Sequence, residues 1–236
     1  NNVVSLGKLG TPISGGYFSS NGIISTYAIQ NEQLGVFWGY GTLGLYQSQS
    51  EIDNDPNLSN STGERALLRP GELIYKDQNN DGIINNDDKV KIGNPYPDLS
   101  FGLNFNGYYK QIEFNIFFQG QVGNEIFNAM KFNTHFEVRS NYATDILDAW
   151  TPDNTDTNIP AVGAIRVDAS DWYIEDGSYI RLKQLRIAYN LDLFKGTTKS
   201  KIFISGQNLL TLTKYSGFDP EVGTPAYSGQ PSAMGV

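Results

Sequence analysis

The chain has 236 residues, 25 acidic and 17 basic side chains, a net charge of -8 and no cysteine. The acidic balance excludes a nucleic-acid partner, which requires a basic surface, and the lack of cysteine excludes disulfides and thiolate zinc sites. No apolar run approaches the ~18 residues of a membrane-spanning helix. The aromatic content of 13% and the 25 glycines are typical of a transmembrane β-barrel, in which only alternate residues face lipid, and equally of a secreted β-sandwich.

The first predicted strands cover residues 23–30 and 36–46, and the second of these is rich in glycine. Three long polar segments then alternate with the remaining strands, at residues 47–98, 123–177 and 214–236. Loops of this length are uncommon inside compact soluble domains, whereas long loops on one side and short turns on the other are typical of outer-membrane barrels. We therefore expect long extracellular loops.

Residues 77–88 in the first of these loops follow the spacing of an EF-hand-type calcium loop. Gly82 stands at the sixth position, where the chain must turn sharply. A solvated acidic turn is the alternative interpretation, and the aspartate at the last position resembles the dockerin-type variant. The flanking residues look extended, so the bound Ca²⁺ would have a structural role. The predicted oxygen ligands are Asp77, Asn79, Asp81, the main-chain carbonyl of Ile83, Asn85 and Asp88.

The clearest strand pattern lies in residues 99–122. Apolar and polar residues alternate through residues 101–109, and the same pattern repeats through residues 112–119. Lys110 and Gln111 lie between the two runs, which predicts a hairpin with a tight turn. A soluble sheet with one buried face produces the same alternation, but a length of about ten residues per strand favours a membrane barrel.

The next polar segment predicts short helices near residues 125–136 and 143–150. Trp172 and Tyr173, near its end, are the predicted contacts for a ligand or a covering lid protein. His135 is the only histidine of the chain, and no serine lies in a nucleophile elbow, so we expect a loop histidine with no special role and no enzymatic activity.

Two further strands are predicted at residues 178–191 and 201–212, separated by a short glycine-containing turn. The apolar phase slips between Leu182 and Leu185, which predicts a β-bulge or a position at the rim of the sheet. The chain provides roughly six to eight strands in all, which are too few to enclose a transport lumen. The opening residues contain no signal peptide. We therefore expect both ends of the sequence to be cuts in a longer polypeptide.

Ten short motifs lie along the chain, at residues 39–51, 70–77, 92–97, 101–104, 118–120, 123–128, 150–154, 175–183, 206–209 and 215–221. They resemble, in the same order, motifs of SusC/RagA transporters. In that family a segment of the form GD(I/L)-x-(Y/F)-KD-x-NxDGxI-xxxD precedes IGxPxP and a barrel strand.

The resemblance implies that residues 1–236 are the C-terminal part of a TonB-dependent receptor of the bacterial outer membrane. It implies a 22-stranded antiparallel transmembrane β-barrel, surrounded by outer-membrane lipid, that imports oligosaccharides or peptides. It also implies a SusD-like lipoprotein lid, and energy from TonB delivered through an N-terminal region that this sequence does not contain. The alternative is a secreted calcium-binding β-sandwich, either an adhesin or a carbohydrate-binding module.

Overall fold

The computed structural model describes residues 13–17, 24–29, 32–33, 35–58, 62–137, 141–193 and 198–221. These residues form two compact units, the first from the described parts of Asn1–Pro95 and Ile126–Ile174, the second from Tyr96–Glu125 and Glu175–Glu221. In the part of the chain that the structure describes, no helix is long and apolar enough to cross a lipid bilayer.

The fold consists mostly of β-strands that pair in antiparallel sheets, which confirms the predicted all-β class. In chain order the strands are β1 (Ile13–Tyr17), β2 (Ile24–Ala28), β3 (Val36–Gly39), β4 (Thr42–Leu45), β5 (Leu73–Tyr75), β6 (Val90–Gly93), β7 (Leu99–Tyr109), β8 (Ile112–Val122), β9 (Glu125–Phe127), β10 (Ile174–Asp176), β11 (Tyr179–Leu193) and β12 (Thr198–Thr213). The α-helices are α1 (Gln49–Asn54) and α2 (Thr62–Arg65), with 3-10 turns at Pro56–Leu58, Asn86–Asp88, Thr144–Asp148 and Asp171–Tyr173 and one π-helical turn at Phe132–Phe136.

The first unit contains a sheet of order β1-β2-β3-β6 and a separate β4-β5 pair. The strand predicted at residues 36–46 is therefore two strands. Its break has a clear cause, because Tyr40 leaves the sheet: its N–H donates to the Ala169 carbonyl at 2.9 Å, and it forms a parallel bridge with Ser170. Gly39 allows this approach, since a Cβ there would collide with the Ala169 carbonyl.

Aromatic side chains fill the core of the first unit. One cluster joins Phe37 of β3 to Phe127 and to Tyr173, whose rings stack at 5.1 Å. A second cluster contains Trp150 and packs against β4 and β5. A third buries Ile52 of α1 beneath the turn that follows this helix. Long segments that the sequence presents as polar loops are thus fixed by a few large apolar side chains.

The short helices predicted in residues 123–177 are only partly found. The first begins instead as strand β9 and continues into the π-helical turn Phe132–Phe136, because Phe127, Phe132 and Phe136 all turn into the core. The second is the 3-10 turn Thr144–Asp148. In residues 125–136 the helix-like spacing of aromatic residues in the sequence therefore reflects their burial in the core and not a regular helix.

The second unit is one antiparallel sheet of order β12-β11-β8-β7. β7 and β8 form the predicted hairpin, and Lys110 has the positive φ of 54° that a tight turn demands. β7 and β8 have 11 residues each, β11 has 15 and β12 has 16, so all are long enough to cross a bilayer. The turn predicted around residues 194–199 lies largely outside the described residues.

The predicted β-bulge lies in β11. Leu182 pairs with Phe118 of β8, and Gln184 pairs with the adjacent Phe117, so Lys183 is an extra residue on β11. A one-residue insertion reverses the face on which each later side chain lies. Leu185 therefore returns to the same face as Leu182, and the phase slip in the sequence has this structural cause.

Candidate functional site

The register of the second unit divides the sheet into an apolar face and a polar face. The apolar face is exposed, with Leu103 at 47%, Phe105 at 52% and Ile204 at 73% of their possible accessible surface. Cross-strand neighbours on this face are also apolar. Its larger members are Leu99, Phe101, Leu103, Phe105, Tyr109, Ile112, Phe114, Ile116, Phe118, Val122, Ile180, Leu182, Leu185, Ile187, Tyr189, Ile202, Ile204, Leu210 and Leu212.

An apolar face of this extent indicates a membrane environment. A soluble β-sandwich covers the apolar face of each sheet with a second sheet, at a spacing of about 10 Å. Here the apolar side chains remain open, and an exposed apolar patch this wide is rare on soluble monomers. Lipid is the solvent that suits such a surface, so the structure disfavours the secreted sandwich.

The opposite face carries amides and ion pairs. The Asn115 amide donates to Asn104 at 2.8 Å and to Asn106 at 2.5 Å. Glu113 accepts a hydrogen bond from Lys201 at 2.6 Å. Water, not lipid, solvates groups of this kind, as in the lumen of a barrel. The predicted assignment of faces in residues 101–119 is confirmed.

Arg181 and Lys183 lie on this polar face, at the bulged end of β11. Arg181 is 4% exposed, whereas its cross-strand neighbours Gln119 and Thr211 are only partly buried. Asp219 and Glu221, beyond the end of β12, supply its ion pairs. Sequence reasoning missed this pairing because nothing local links positions so far apart.

The predicted calcium loop forms a compact turn in the first unit. Asp77 is buried, and its carboxylate accepts hydrogen bonds from the N–H groups of Asn80 at 2.6 Å and Gly82 at 2.8 Å. Gly82 has a φ of 76°, and Asn80 has a φ of 60°. The left-handed backbone at these two positions closes the turn, and glycine adopts it without steric cost.

The buried Asp88 carboxylate closes the other end of the loop. It accepts from the N–H groups of Gln78 at 2.9 Å and Asn85 at 2.8 Å, so it ties both ends of the turn together. Among the described residues, no three or more histidine, aspartate or glutamate side chains are grouped so that they could hold a metal ion. The calcium ligands therefore stay a prediction.

The central predicted ligands make short-range hydrogen bonds. Asn79 accepts from the Asp81 N–H at 2.9 Å, and Asp81 accepts from the Ile83 N–H at 2.8 Å. Asn85 accepts from the Asp87 N–H at 2.7 Å and caps the 3-10 turn Asn86–Asp88. Each of these carboxylate and amide oxygens can accept more than the one hydrogen bond described. Oxygens with such free lone pairs are the ligands that Ca²⁺ prefers.

A buried acidic residue, which the sequence did not single out, fixes the strand that leads into this loop. Glu72 precedes β5, and its carboxylate accepts from the N–H groups of Ile165 at 2.9 Å and Arg166 at 3.1 Å. Arg166 in turn donates to Glu64 at 2.7 Å. Burial raises the pKa of Glu72, and these hydrogen bonds oppose the shift only in part.

Trp172 and Tyr173, the predicted ligand or lid contacts, have different surroundings. Tyr173 is fully buried, and its hydroxyl donates to the Val167 carbonyl at 3.0 Å, so it is a core residue. Trp172 is only partly buried, and the Lys131 ammonium lies 4.8 Å from the centre of its ring. The contact prediction is untested and rests on Trp172.

His135 is not the loop histidine that we expected. It is 4% exposed and lies in the π-helical turn, with its Nε2 atom 3.2 Å from an Asp145 carboxylate oxygen. Its ring also meets Trp172 edge to face. The histidine packs in the core of the first unit, where its Nδ1 atom lies 3.0 Å from the Thr134 hydroxyl.

Comparison with known proteins identifies the architecture. The chain is 37% identical over 206 residues to a TonB-dependent receptor of Formosa agariphila, covering 84% of the chain and 20% of that receptor. It is 26% identical over 164 residues to the TonB-dependent receptor SusC of Bacteroides thetaiotaomicron, covering 65% of the chain and 16% of SusC. No protein-family model matches the chain.

Solved structures give the same answer for the fold. The structure of the RagAB peptide transporter matches with a TM-score of 0.62 at 21% identity, covering 91% of this chain and 23% of that chain. The RagAB peptide importer in its open-open state matches with a TM-score of 0.64 at 22% identity, covering 92% and 23%. At such identities the likeness concerns the fold alone.

A two-faced antiparallel sheet with these neighbours defines a segment of a TonB-dependent barrel receptor of the outer membrane. More particularly, the chain belongs to the SusC/RagA type, as its motifs indicated. It spans about one fifth of the length of the curated relatives that it matches. The number of 22 strands and the C-terminal position of residues 1–236 stay predictions. The relatives are named as receptors and transporters, not enzymes.

Proposed function

We propose that the full-length protein imports a bulky nutrient, either an oligosaccharide or a peptide, across the outer membrane. One observation carries the proposal: a single sheet has an exposed apolar face and, opposite, a face of amides and ion pairs such as Glu113–Lys201. Such a sheet separates lipid from a water-filled passage. The relatives named TonB-dependent receptors, and the RagAB structures titled as a peptide transporter, support the same activity.

Uptake in living cells tests this proposal. The gene for the full-length receptor is deleted, and cells receive a fluorescent peptide mixture or a fluorescent glucan oligosaccharide mixture. We expect the deletion to abolish uptake of one of the two probes and the restored wild-type gene to return it, which shows that uptake requires the receptor. A protonophore should abolish the same uptake in wild-type cells, which shows that it requires the proton gradient. Unchanged uptake of both probes, with the restored receptor present in the outer membrane, would contradict the proposal.

We also propose that the receptor works with a SusD-like surface lipoprotein and draws energy from TonB through its N-terminal region. The likeness to the RagAB transporter supports the first partner, and the relatives named TonB-dependent receptors support the second. Extraction of the tagged receptor in mild detergent should recover a lipoprotein in stoichiometric amount. Recovery of the receptor alone from membranes that contain the lipoprotein would contradict the partnership.

We propose, third, that the loop of residues 77–88 binds Ca²⁺ as a structural ion. Its oxygen ligands would be Asp77, Asn79, Asp81, Ile83, Asn85 and Asp88, which stand at the spacing of an EF-hand-type loop. A bound cation would neutralise the buried carboxylates of Asp77 and Asp88, whose charges are otherwise costly to bury. The ion would stiffen the turn between β5 and β6.

Asp81 and Asp87 provide a matched pair for the test, since both are exposed acids of this loop and only Asp81 is a predicted ligand. Calcium binding to the purified receptor is followed by titration calorimetry. We expect D81N to weaken binding by about tenfold or more and D87N to leave it unchanged within about twofold. Equal effects of the two substitutions, or no binding by the wild type, would refute the assignment.

A further inference from the structure

The eight residues that follow β12, residues 214–221, fold back onto the polar face of the sheet. We call this segment the strap. Its partners Gln119, Glu175, Arg181 and Lys183 all belong to the second unit. Beneath it Arg181 is 4% exposed, whereas Gln119 and Thr211 beside it on the same face are only partly buried. The strap is therefore the cover that buries this arginine.

The strap is fastened at one end by a cluster of ion pairs. Arg181 donates to Asp219 at 2.5 Å and also pairs with Glu221. Lys183, the extra residue of the bulge, lies 2.9 Å from Glu221, and Gln119 of β8 donates to the same carboxylate at 3.1 Å. Two cations thus meet two carboxylates, and the planar guanidinium contacts both acids at once.

A second fastening lies nearer to β12. The Ser216 N–H and hydroxyl each donate to the Glu175 carboxylate at 2.8 Å. Between the two fastenings the Phe218 side chain is 85% exposed. The hydrogen bonds and ion pairs that hold the strap to the sheet thus lie on either side of Phe218.

The charges favour a fastened strap. Burial tends to raise the pKa of Asp219, but the hydrogen bond and the charge of Arg181 outweigh it and bring that pKa below its usual value. A buried arginine without its carboxylates would be an unpaired charge in a poorly hydrated place, which is strongly unfavourable. Opening the strap therefore requires water to reach Arg181.

We infer that the strap is a fixed inner layer of the barrel wall, locked by Arg181, that narrows the passage beside β11. The inference rests on the proposed function, because a passage exists only if the polar face lines one. It assigns the ion pairs of Asp219 and Glu221 a purpose: they hold eight residues of chain in front of the sheet, including the exposed ring of Phe218.

Hydrogen exchange on the purified full-length receptor tests the fastening. Strap amides with partners in the structure include those of Tyr215, Ser216 and Glu221. We expect slow exchange in the wild type and at least tenfold faster exchange in E221Q, because hydrogen bonds to a charged group are the stronger kind. The matched control is E113Q, which breaks the Glu113–Lys201 pair on the same face and leaves strap exchange unchanged.

Two results would overturn the fastening: strap exchange at the rate of an unstructured peptide in the wild type, or equal strap exchange in E221Q and E113Q. R181K gives a second variant, because lysine keeps the charge but cannot contact both carboxylates, and its strap exchange should lie between wild type and E221Q. Exchange does not depend on transport, so failure of the nutrient-uptake assay would refute the proposed function without changing this result.

Uptake of oligosaccharide or peptide probes of graded length tests the narrowing. The wild-type receptor should take up probes only up to a certain length. E221Q should raise this limit, because an unfastened strap can leave the passage, and E113Q should not. Identical limits in the wild type and E221Q, in cells with equal receptor levels, would overturn the narrowing.

Discussion

A lysine at Ile204 is expected to disrupt the barrel, because this side chain lies on the apolar face near the middle of β12. Ile204 is six residues after Thr198 and nine before Thr213. At ~3.4 Å per residue and a ~45° tilt, these intervals correspond to roughly 14 Å and 22 Å along the membrane normal. The residue therefore lies close to the middle of a hydrocarbon core about 30 Å thick.

A lysine at that depth costs about 2–4 kcal/mol of folding free energy. This is about a 30-fold or larger loss in the equilibrium constant for folding. The matched control is Q207K, three residues along the same strand and on the polar face, where Gln207 pairs with Gln184. An exposed polar substitution of this kind is expected to change stability by no more than about 0.5 kcal/mol.

Both variants of the full-length receptor are refolded into lipid vesicles and unfolded with denaturant, and the folded fraction is followed by heat-modifiable gel migration. The reasoning requires I204K to be at least about 2 kcal/mol less stable than Q207K. Equal stabilities would refute it, because a face exposed to water tolerates lysine as well as isoleucine. I204L, which keeps the apolar character, checks that the effect comes from charge and should be nearly neutral.

Three further predictions concern other parts of the chain. G120V should cost about 1–3 kcal/mol in thermal unfolding, since a Cβ at Gly120 would lie 2.7 Å from the Tyr179 carbonyl; G63A has open space and serves as control. Acidification from pH 7 should stabilise the wild type relative to E72Q, because the pKa of Glu72 is raised by burial, so its protonated form favours folding and this stabilisation is lost as pH rises. Deletion of Lys183 should remove the bulge but keep heat-modifiable migration, because Gln184 and Leu185 stay on their faces and only the Lys183–Glu221 ion pair is lost.

The sheet of the second unit could be predicted from the sequence because its information is local. Alternation with a period of two identifies the faces of residues 99–122, and the position of Lys110 identifies the turn. The phase slip after Leu182 identifies the bulge, since a strand between lipid and water cannot change faces without one. Each inference uses neighbours within a few residues, and the structure confirms all three.

The first unit was harder because its structure depends on long-range contacts. β3 pairs with β6, and Phe37 lies opposite Gly93 across a long intervening loop. Glu72 meets the backbone at Ile165 and Arg166, with 93 and 94 positions between partners. Periodicity cannot indicate such partners. The break after Gly39 also escaped prediction, because it depends on the carbonyl of Ala169.

The bulge in β11 meets two requirements with one extra residue. Leu185 must lie on the lipid side, and the bulge allows this because it takes up Lys183 without changing the faces of Gln184 and Leu185. The same insertion leaves Arg181 and Lys183 together on the polar side, where Glu221 contacts both. A regular strand would place Leu185 among the polar groups if Arg181 kept its place. The bulge around residue 183 therefore serves the membrane face and the strap at once, because it keeps Leu185 on the lipid side and adds Lys183 to the ion pairs of Glu221.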